Sequence, residues 1–186
     1  MTGSLHIIMG PMFSGKSSEL IKIAKRNKVI GRHIIGIKHV IDNRYSSEET
    51  ILNHDKNKMP ADSVFIINSL DDIRKVDIDE YDNPIIIIEE LQFYQNTFNN
   101  VIKFVEEWGL EVICAGLDGD YRRKPFGDVL QLIPYANKIT KLTALCGKCA
   151  DGTEAYFTKR VSSSEETILV GSGDKYEAVC RKHYLE

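Results

Sequence analysis

Positive charge is not in excess in this chain of 186 residues: 24 lysines and arginines stand against 27 aspartates and glutamates, a formal net charge of −3. Binding of nucleic acid normally shows as a basic face or stripe, so that balance argues against a nucleic-acid partner. Long apolar runs are missing too. No stretch approaches the ~18 apolar residues of a membrane-spanning helix. The amino-terminal residues also lack the charged stretch and apolar core of about 7–15 residues that make a secretory signal. The expectation is a soluble, cytoplasmic protein with no membrane partner. Cysteine is scarce, with four in all. Three of the four gather in the last quarter, which fits a metal site in a reducing compartment better than a disulfide framework. Internal repeats and low-complexity segments are absent. At this length there is room for one substantial core and a small annex, not for two full domains.

What is present begins at Gly10-Pro11-Met12-Phe13-Ser14-Gly15-Lys16-Ser17, which fits the phosphate-loop pattern G-x-x-x-x-G-K-[ST] at every fixed position. A triphosphate must be wrapped by backbone N–H groups, and glycines let the chain approach without a Cβ clash. Lys16 can neutralise the β/γ oxygens and Ser17 can ligate Mg²⁺, while the following helix points its positive end at the anion. A chance match in an ordinary glycine turn is disfavoured by the context. Leu5 to Met9 reads as a buried strand before the loop, and Lys16 to Asn27 carries Leu20, Ile23 and Ala24 at helical spacing after it.

Further along, strands are predicted at His33–His39, Val64–Ile67, Pro84–Ile88 and Glu111–Ala115. Ser69–Lys75 reads as a brief serine-capped helix and Asn96–Trp108 as a longer one stopped by Gly109. Ile41 to Pro60 is polar, shows little core-forming pattern and reads as a functional excursion. The run Ile85-Ile86-Ile87-Ile88 has no polar alternation, as in a parallel strand covered on both faces. The pattern predicts a doubly wound parallel α/β sheet, with ligands at the carboxyl ends of its strands. Near Thr143 it changes to short strand-like segments at Ala155–Lys159 and Thr167–Val170, so residues 1–142 read as a nucleotide-binding α/β domain and 143–186 as a small metal-binding domain.

The apolar run ends in Glu89-Glu90. Acidic residues at a strand tip beside a phosphate loop can organise Mg²⁺ or accept a proton, and neighbours on a strand point to opposite faces, so the two have different tasks. In isolation the pair could be a charged strand end meeting solvent. Cys146-x₂-Cys149 and Cys180-x₂-His183 supply two ligand pairs, as a tetrahedral zinc site needs. The thirty-residue gap between the pairs requires an extra loop, and three buried cysteines with a surface histidine are the alternative. Cys114 reads as a core residue, and His6, His33, His39 and His54 as structural or surface groups. Two loops share the carboxyl edge of the sheet: Asp42-Asn43-Arg44, whose arginine could reach a transferring phosphoryl group, and Leu117 to Gly127, which could cover an anionic ligand and supply an aromatic wall.

These segments together resemble the type II, zinc-containing thymidine kinases. The likeness runs nearly end to end through G-P-M-F-S-G-K-S at 10–17, D-N-R-Y at 42–45, H-D-K-N at 54–57 and E-E-L-Q-F at 89–93. It continues in L-D-G-D-Y-R-R-K-P-F at 117–126, L-I-P-Y-A at 132–136, K-L-T-A-L-C at 141–146, F-T-K-R at 157–160 and D-K-Y-E-A-V-C-R at 174–181. The resemblance implies a P-loop NTPase-like sheet carrying a small zinc-ribbon-like domain with a lasso loop. The implied reaction is transfer of the γ-phosphoryl of ATP to the 5′-hydroxyl of thymidine, with Glu90 as general base and with Lys16 and Arg44 stabilising charge. ATP and Mg²⁺ would be held by residues 10–17, by Asp42, Asn43 and Arg44, and by Glu89, Glu90, Leu91 and Gln92. Thymidine would lie among Met12, Phe93, Leu117, Tyr121, Phe126, Thr158, Thr167, Ile168, Leu169, Val170, Gly171 and Tyr176. Cys146, Cys149, Cys180 and His183 would hold a structural Zn²⁺ that pins the lasso. Feedback inhibition by thymidine triphosphate and a homotetramer are implied as well. The chain departs from the family pattern at Glu89 (usually Asp), Tyr121 (more often Phe), Ser172 (in place of the second Gly of a pair) and His183 (commonly Cys). The competing class is a nucleic-acid-dependent ATPase built from a P-loop and a zinc ribbon, which the negative charge and lack of a basic helix disfavour.

Overall fold

Four isoleucines in a row can be satisfied only where a strand is covered on both faces, and Ile85–Ile88 lies in the middle of a six-stranded sheet whose pairings are all parallel. The computed structural model describes residues 2–41, 50–53, 55–161 and 175–186. In chain order, β1 (Ser4–Met9) leads into α1 (Lys16–Val29), followed by β2 (Ile34–His39), β3 (Ser63–Ile67), α2 (Lys75–Asp79) and β4 (Ile85–Ile88). Then come α3 (Thr97–Ile102), β5 (Glu111–Gly116) and β6 (Lys138–Lys141), and the strands lie in the order β3-β2-β4-β5-β1-β6. Alternate side chains of each strand feed the two faces. Ile7, Ile37, Ile86, Ile88 and Cys114 pack with Leu70, Ile78 and Phe104 on one side. Ile8, Ile34, Ile85 and Ile87 pack with Leu20, Ile21 and Ala24 of α1 on the other. Burial pushes the Cys114 thiol up to about 12, so it stays neutral and packs as a small apolar group.

Three local expectations need correction, and one strand had no expectation at all. The helix read over Asn96–Trp108 is α3 continued by a π-helical turn, Lys103–Glu107, in which the Trp108 N–H donates to the Lys103 carbonyl at 3.0 Å. The wide turn keeps Phe104 in the core with its ring 4.8 Å from that of Trp108. Ser69–Lys75 is not one helix: Ser69 caps a 3₁₀ turn at Leu70–Asp72, the buried Ile73 is extended, and α2 starts afresh at Lys75. β6 went unread because an edge strand of sequence Lys-Ile-Thr-Lys buries too little to show a pattern. Part of the polar 41–60 stretch contributes to the core. Ile51 and Met59 are buried against α1, bonded by Met59 N–H to the Ile51 carbonyl at 2.9 Å, and Asn53 Nδ2 donates to Ser18 Oγ at 2.9 Å. The few apolar residues of that stretch, Ile41, Ile51, Leu52 and Met59, are too irregularly spaced to register as periodicity.

Beyond Leu142 the chain forms β7 (Ala144–Leu145) paired antiparallel with β8 (Glu154–Ala155), and β9 (Phe157–Arg160) paired antiparallel with β10 (Tyr176–Val179). A short helix, α4 (Arg181–Leu185), closes it. The strand expected at Thr167–Val170 lies outside the described residues. A third apolar cluster, built largely from Ala144, Ala155, Ala178 and Val179 with the cysteines, serves this segment. Among the described residues no helix is long and apolar enough to cross a membrane.

Phe104 is fully buried, so Phe104→Ala is expected to destabilise the chain by about 3–5 kcal/mol. Denaturant unfolding followed by tryptophan fluorescence would measure it.

Candidate active site and metal centre

The loop after β1 is shaped by residues that tolerate unusual backbone. Gly15, at φ 82°, is the left-handed residue from which α1 starts, and Phe13 adopts φ 64° with its ring partly exposed. A Cβ on Gly10 would sit 2.4 Å from the Leu142 carbonyl oxygen and 2.9 Å from Ser14 Oγ. Ser14 Oγ and Lys16 Nζ both donate to the Pro11 carbonyl, at 2.8 and 2.7 Å, so the ammonium is folded into the mouth of the loop. The fourteen-residue helix behind it points its positive amino-terminal end at the same place. Gly10→Ala is expected to displace the loop or the β6–β7 connection and to raise the ATP KM about tenfold or more, as initial rates against ATP concentration would read.

Register brings the other strand ends alongside. Met9 pairs with Gly116 and Ile88 with Cys114, so the residues following β1, β4 and β5 share one edge. Glu89 is buried there and Glu90 half-buried. Glu90 is left-handed, at φ 51° and ψ 49°, a conformation that costs a non-glycine residue about 1 kcal/mol or more and that collects at functional sites. Gln92 is buried and ties two strand ends together, its Nε2 donating to Glu90 Oε2 while its Oε1 accepts from the Leu117 N–H at 3.0 Å. Phe93 meets Phe126 edge to face at 5.8 Å and His39 at 5.9 Å. His39, expected to be structural or at the surface, is buried among these aromatic rings. His6 bonds Thr140 and His33 the Asp82 carbonyl, both structural contacts.

The carboxyl-terminal strands reach into the same edge. The Met12 N–H donates to Thr158 Oγ1 of β9 at 2.9 Å. Tyr121 heads a tight turn in which Asp120 Oδ1 accepts from the N–H groups of Arg122 and Lys124, both at 2.8 Å. Its carbonyl accepts from Tyr184 Oη at 2.8 Å, and its ring carries the Arg160 guanidinium at 3.9 Å. Tyr176 receives a hydrogen bond from the same guanidinium. Thus Gly10–Ser17, Glu89–Phe93, Leu117, Tyr121, Phe126, Thr158 and Tyr176 are linked by register or direct contact. Asp42, Asn43, Arg44, Thr167, Ile168, Leu169, Val170, Gly171, Ser172 and His54 lie outside the described residues. Sequence reasoning did not single out Arg160 or Asn53, whose parts depend on partners distant in the chain.

Cys146, Cys149, Cys180 and His183 bring one ligand atom each to within 4.8 Å of one another. His183 Nδ1 lies 3.5 Å from Cys146 Sγ, 3.4 Å from Cys149 Sγ and 3.5 Å from Cys180 Sγ, and the last two sulfurs are 3.8 Å apart. A tetrahedral zinc with ordinary bond lengths has S–S edges of about 3.8 Å and S–N edges of about 3.6 Å, so the donor set fits this ion. Burial raises the Cys146 thiol, yet the N–H groups of Cys180, Cys149 and Lys148 and the His183 ring outweigh it and bring it down to about 6. Burial, with the neighbouring sulfurs, pushes Cys149 up to about 11. The Cys146 thiolate therefore opposes ionisation of Cys149, and a divalent cation among the sulfurs would offset that repulsion. On the far side of the ring, His183 Nε2 faces Glu186 Oε2 at 3.8 Å, the outer carboxylate that often orients a ligating imidazole.

A phosphate loop heading a parallel sheet, with acidic residues at a neighbouring strand end and a Cys₃His unit closing over the edge, defines a P-loop nucleotide-binding protein of α/β class. Comparison with known proteins narrows this. A family model described as Thymidine kinase matches residues 3–184. Thymidine kinase a of Arabidopsis thaliana is 40% identical over 99% of this chain and 76% of its own length. The thymidine kinase of Sheeppox virus is 39% identical over 98% of this chain and 97% of its own. The cytosolic thymidine kinase of Homo sapiens is 38% identical over 99% and 74%. The chain belongs to the thymidine kinase family.

Proposed function

We propose that this chain phosphorylates thymidine at its 5′-hydroxyl, taking the γ-phosphoryl of ATP and releasing thymidine monophosphate and ADP. The observation that carries the reading is the register that sets the loop after β1 beside the acidic end of β4, in a chain whose family match spans residues 3–184. The backbone N–H groups of residues 10–17 and the Lys16 ammonium hold the triphosphate. Glu90 takes the proton of the attacking hydroxyl; its half-buried position, strained backbone and bond from Gln92 support that role. A bound Mg²⁺ would offset the charge on the β- and γ-phosphates, with Ser17 and Glu89 as its protein partners. Arg44 stabilises charge on the transferring group, and Asp42 and Asn43 belong with it to the nucleotide-binding set. The base lies among Met12, Phe93, Leu117, Tyr121, Phe126, Thr158 and Tyr176, closed over by Thr167 to Gly171. Structural Zn²⁺ holds the domain from residue 143 onward, which we place after a boundary at Leu142. Thymidine triphosphate inhibits, and the chain assembles as a homotetramer. It works in the cytoplasm, a reading supported by its likeness to the human relative, which is named as cytosolic. ATP consumption with and without thymidine tests the reaction. Thymidine-dependent release of ADP and thymidine monophosphate is expected, whereas turnover stimulated by DNA or RNA instead would overturn it.

A further inference from the structure

The carboxyl-terminal unit delivers a cation into the nucleoside side of the site. Arg160 ends β9, and its pairing with Tyr176 of β10 sets the two residues opposite each other. The guanidinium stands over the Tyr121 ring at 3.9 Å and beside the Tyr176 ring at 5.0 Å, with Nη2 bonded to the Tyr176 hydroxyl. Its Nε is shielded from solvent, and the residue as a whole is half-buried. A planar cation on an aromatic face is attracted by the ring quadrupole, more strongly as water is excluded. The main chain of Tyr121 is fixed independently by the Tyr184 hydroxyl, and of the two guanidinium groups over its ring that of Arg160 lies closer, at 3.9 Å against 5.0 Å for Arg122.

From this geometry we infer that Arg160 is a positioning residue for nucleoside recognition: it clamps Tyr121 and Tyr176 in the orientation that receives the base. The inference rests on the reading of Tyr121 as a wall of the thymidine pocket. Arg160 touches two candidate pocket residues from separate parts of the structure, one on the loop after β5 and one on β10. Both belong to the proposed base pocket, whereas the phosphate loop is carried by β1 and α1. The loss of Arg160 is therefore felt in thymidine affinity rather than in ATP affinity or in the chemical step.

The test is steady-state kinetics on the zinc-loaded full chain, varying thymidine and ATP separately. Arg160→Met, which keeps side-chain length without charge or planarity, is expected to raise the thymidine KM about tenfold. The ATP KM and kcat stay within about twofold, and zinc content is unchanged. Arg160→Lys keeps the charge but not the flat face, so its thymidine KM rises about threefold, between wild type and Met. In a Tyr121→Ala background, Arg160→Met should add little, because its effect passes through that ring. An unchanged thymidine KM in Arg160→Lys, equal rises in both KM values, or effects that multiply in the double variant would overturn the inference. If Arg160→Met does not fold, the Lys variant alone decides. Should Tyr121→Ala leave the thymidine KM unchanged, the pocket reading falls and this inference with it; should Tyr121→Ala raise it while the Arg160 variants do not, only this inference falls.

Discussion

Glu90→Gln is expected to lower kcat by about 10²–10⁴-fold, the usual contribution of a positioned general base, and to leave thymidine and ATP binding within about threefold. The substitution is nearly isosteric. Gln92 Nε2 now donates to a carboxylate oxygen of Glu90, and the amide oxygen of glutamine can accept the same bond, so orientation is kept and only basicity is removed. The strained backbone at φ 51° is asked of either side chain equally, which keeps stability out of the comparison. Single-turnover phosphorylation would measure the chemical step, and titration calorimetry the binding. A near-wild-type kcat would move the base elsewhere. Glu89 gives the internal contrast. Adjacent in sequence but buried where Glu90 is half-buried, it is expected on substitution by glutamine to shift the Mg²⁺ concentration required rather than to remove the proton acceptor.

The parts of this site that were legible in the sequence are those whose chemistry is written locally. The phosphate loop needs glycines and a lysine at fixed spacing, and the structure uses them so, down to Gly10, where a Cβ would strike the Leu142 carbonyl. β4 was legible because four isoleucines admit only a doubly covered strand. The metal ligands were legible as two x₂-spaced pairs, and the chain folds them to tetrahedral spacing. What escaped depends on neighbours remote in sequence. β6 exists because Lys138 to Lys141 can add to the free edge of β1, a partner its own residues do not announce. Ile51 and Met59 belong to the core because α1 and β2 leave space over Gly36, where a Cβ would stand 2.9 Å from the Ile51 side chain. The π-helical turn at Lys103–Glu107 preserves the helical spacing of apolar residues closely enough that periodicity alone reads it as ordinary helix. Arg160 figured in the sequence only as the last residue of the F-T-K-R block at 157–160, without a role, because its two aromatic partners come from other elements.

Removing the metal should divide the molecule's behaviour in two. The apolar cluster beyond Leu142 consists mainly of three alanines, a valine and the ligand cysteines themselves, with Phe157 and Tyr184 at its margin. That is too little burial to order some forty residues unaided, whereas structural zinc contributes about 10–16 kcal/mol in finger peptides at neutral pH. The sheet of β1 to β5 has its own two clusters and does not depend on the ion. Chelation, or Cys180→Ser, is therefore expected to release β9 and β10, and with them the bond from Met12 to Thr158 and the stacking of Arg160 on Tyr121. Thymidine phosphorylation should fall by about a hundredfold or more, since displacement of roughly 1 Å among positioning groups already costs that much. ATP binding should persist, because the loop at residues 10–17 is carried by β1 and α1. Hydrogen exchange reads the division directly: amides at 144–160 and 176–185 lose protection while those of β1, β4 and β5 keep theirs. Protein stripped of zinc that retains both its exchange protection in β9 and β10 and its thymidine KM would show that the Cys₃His unit orders neither.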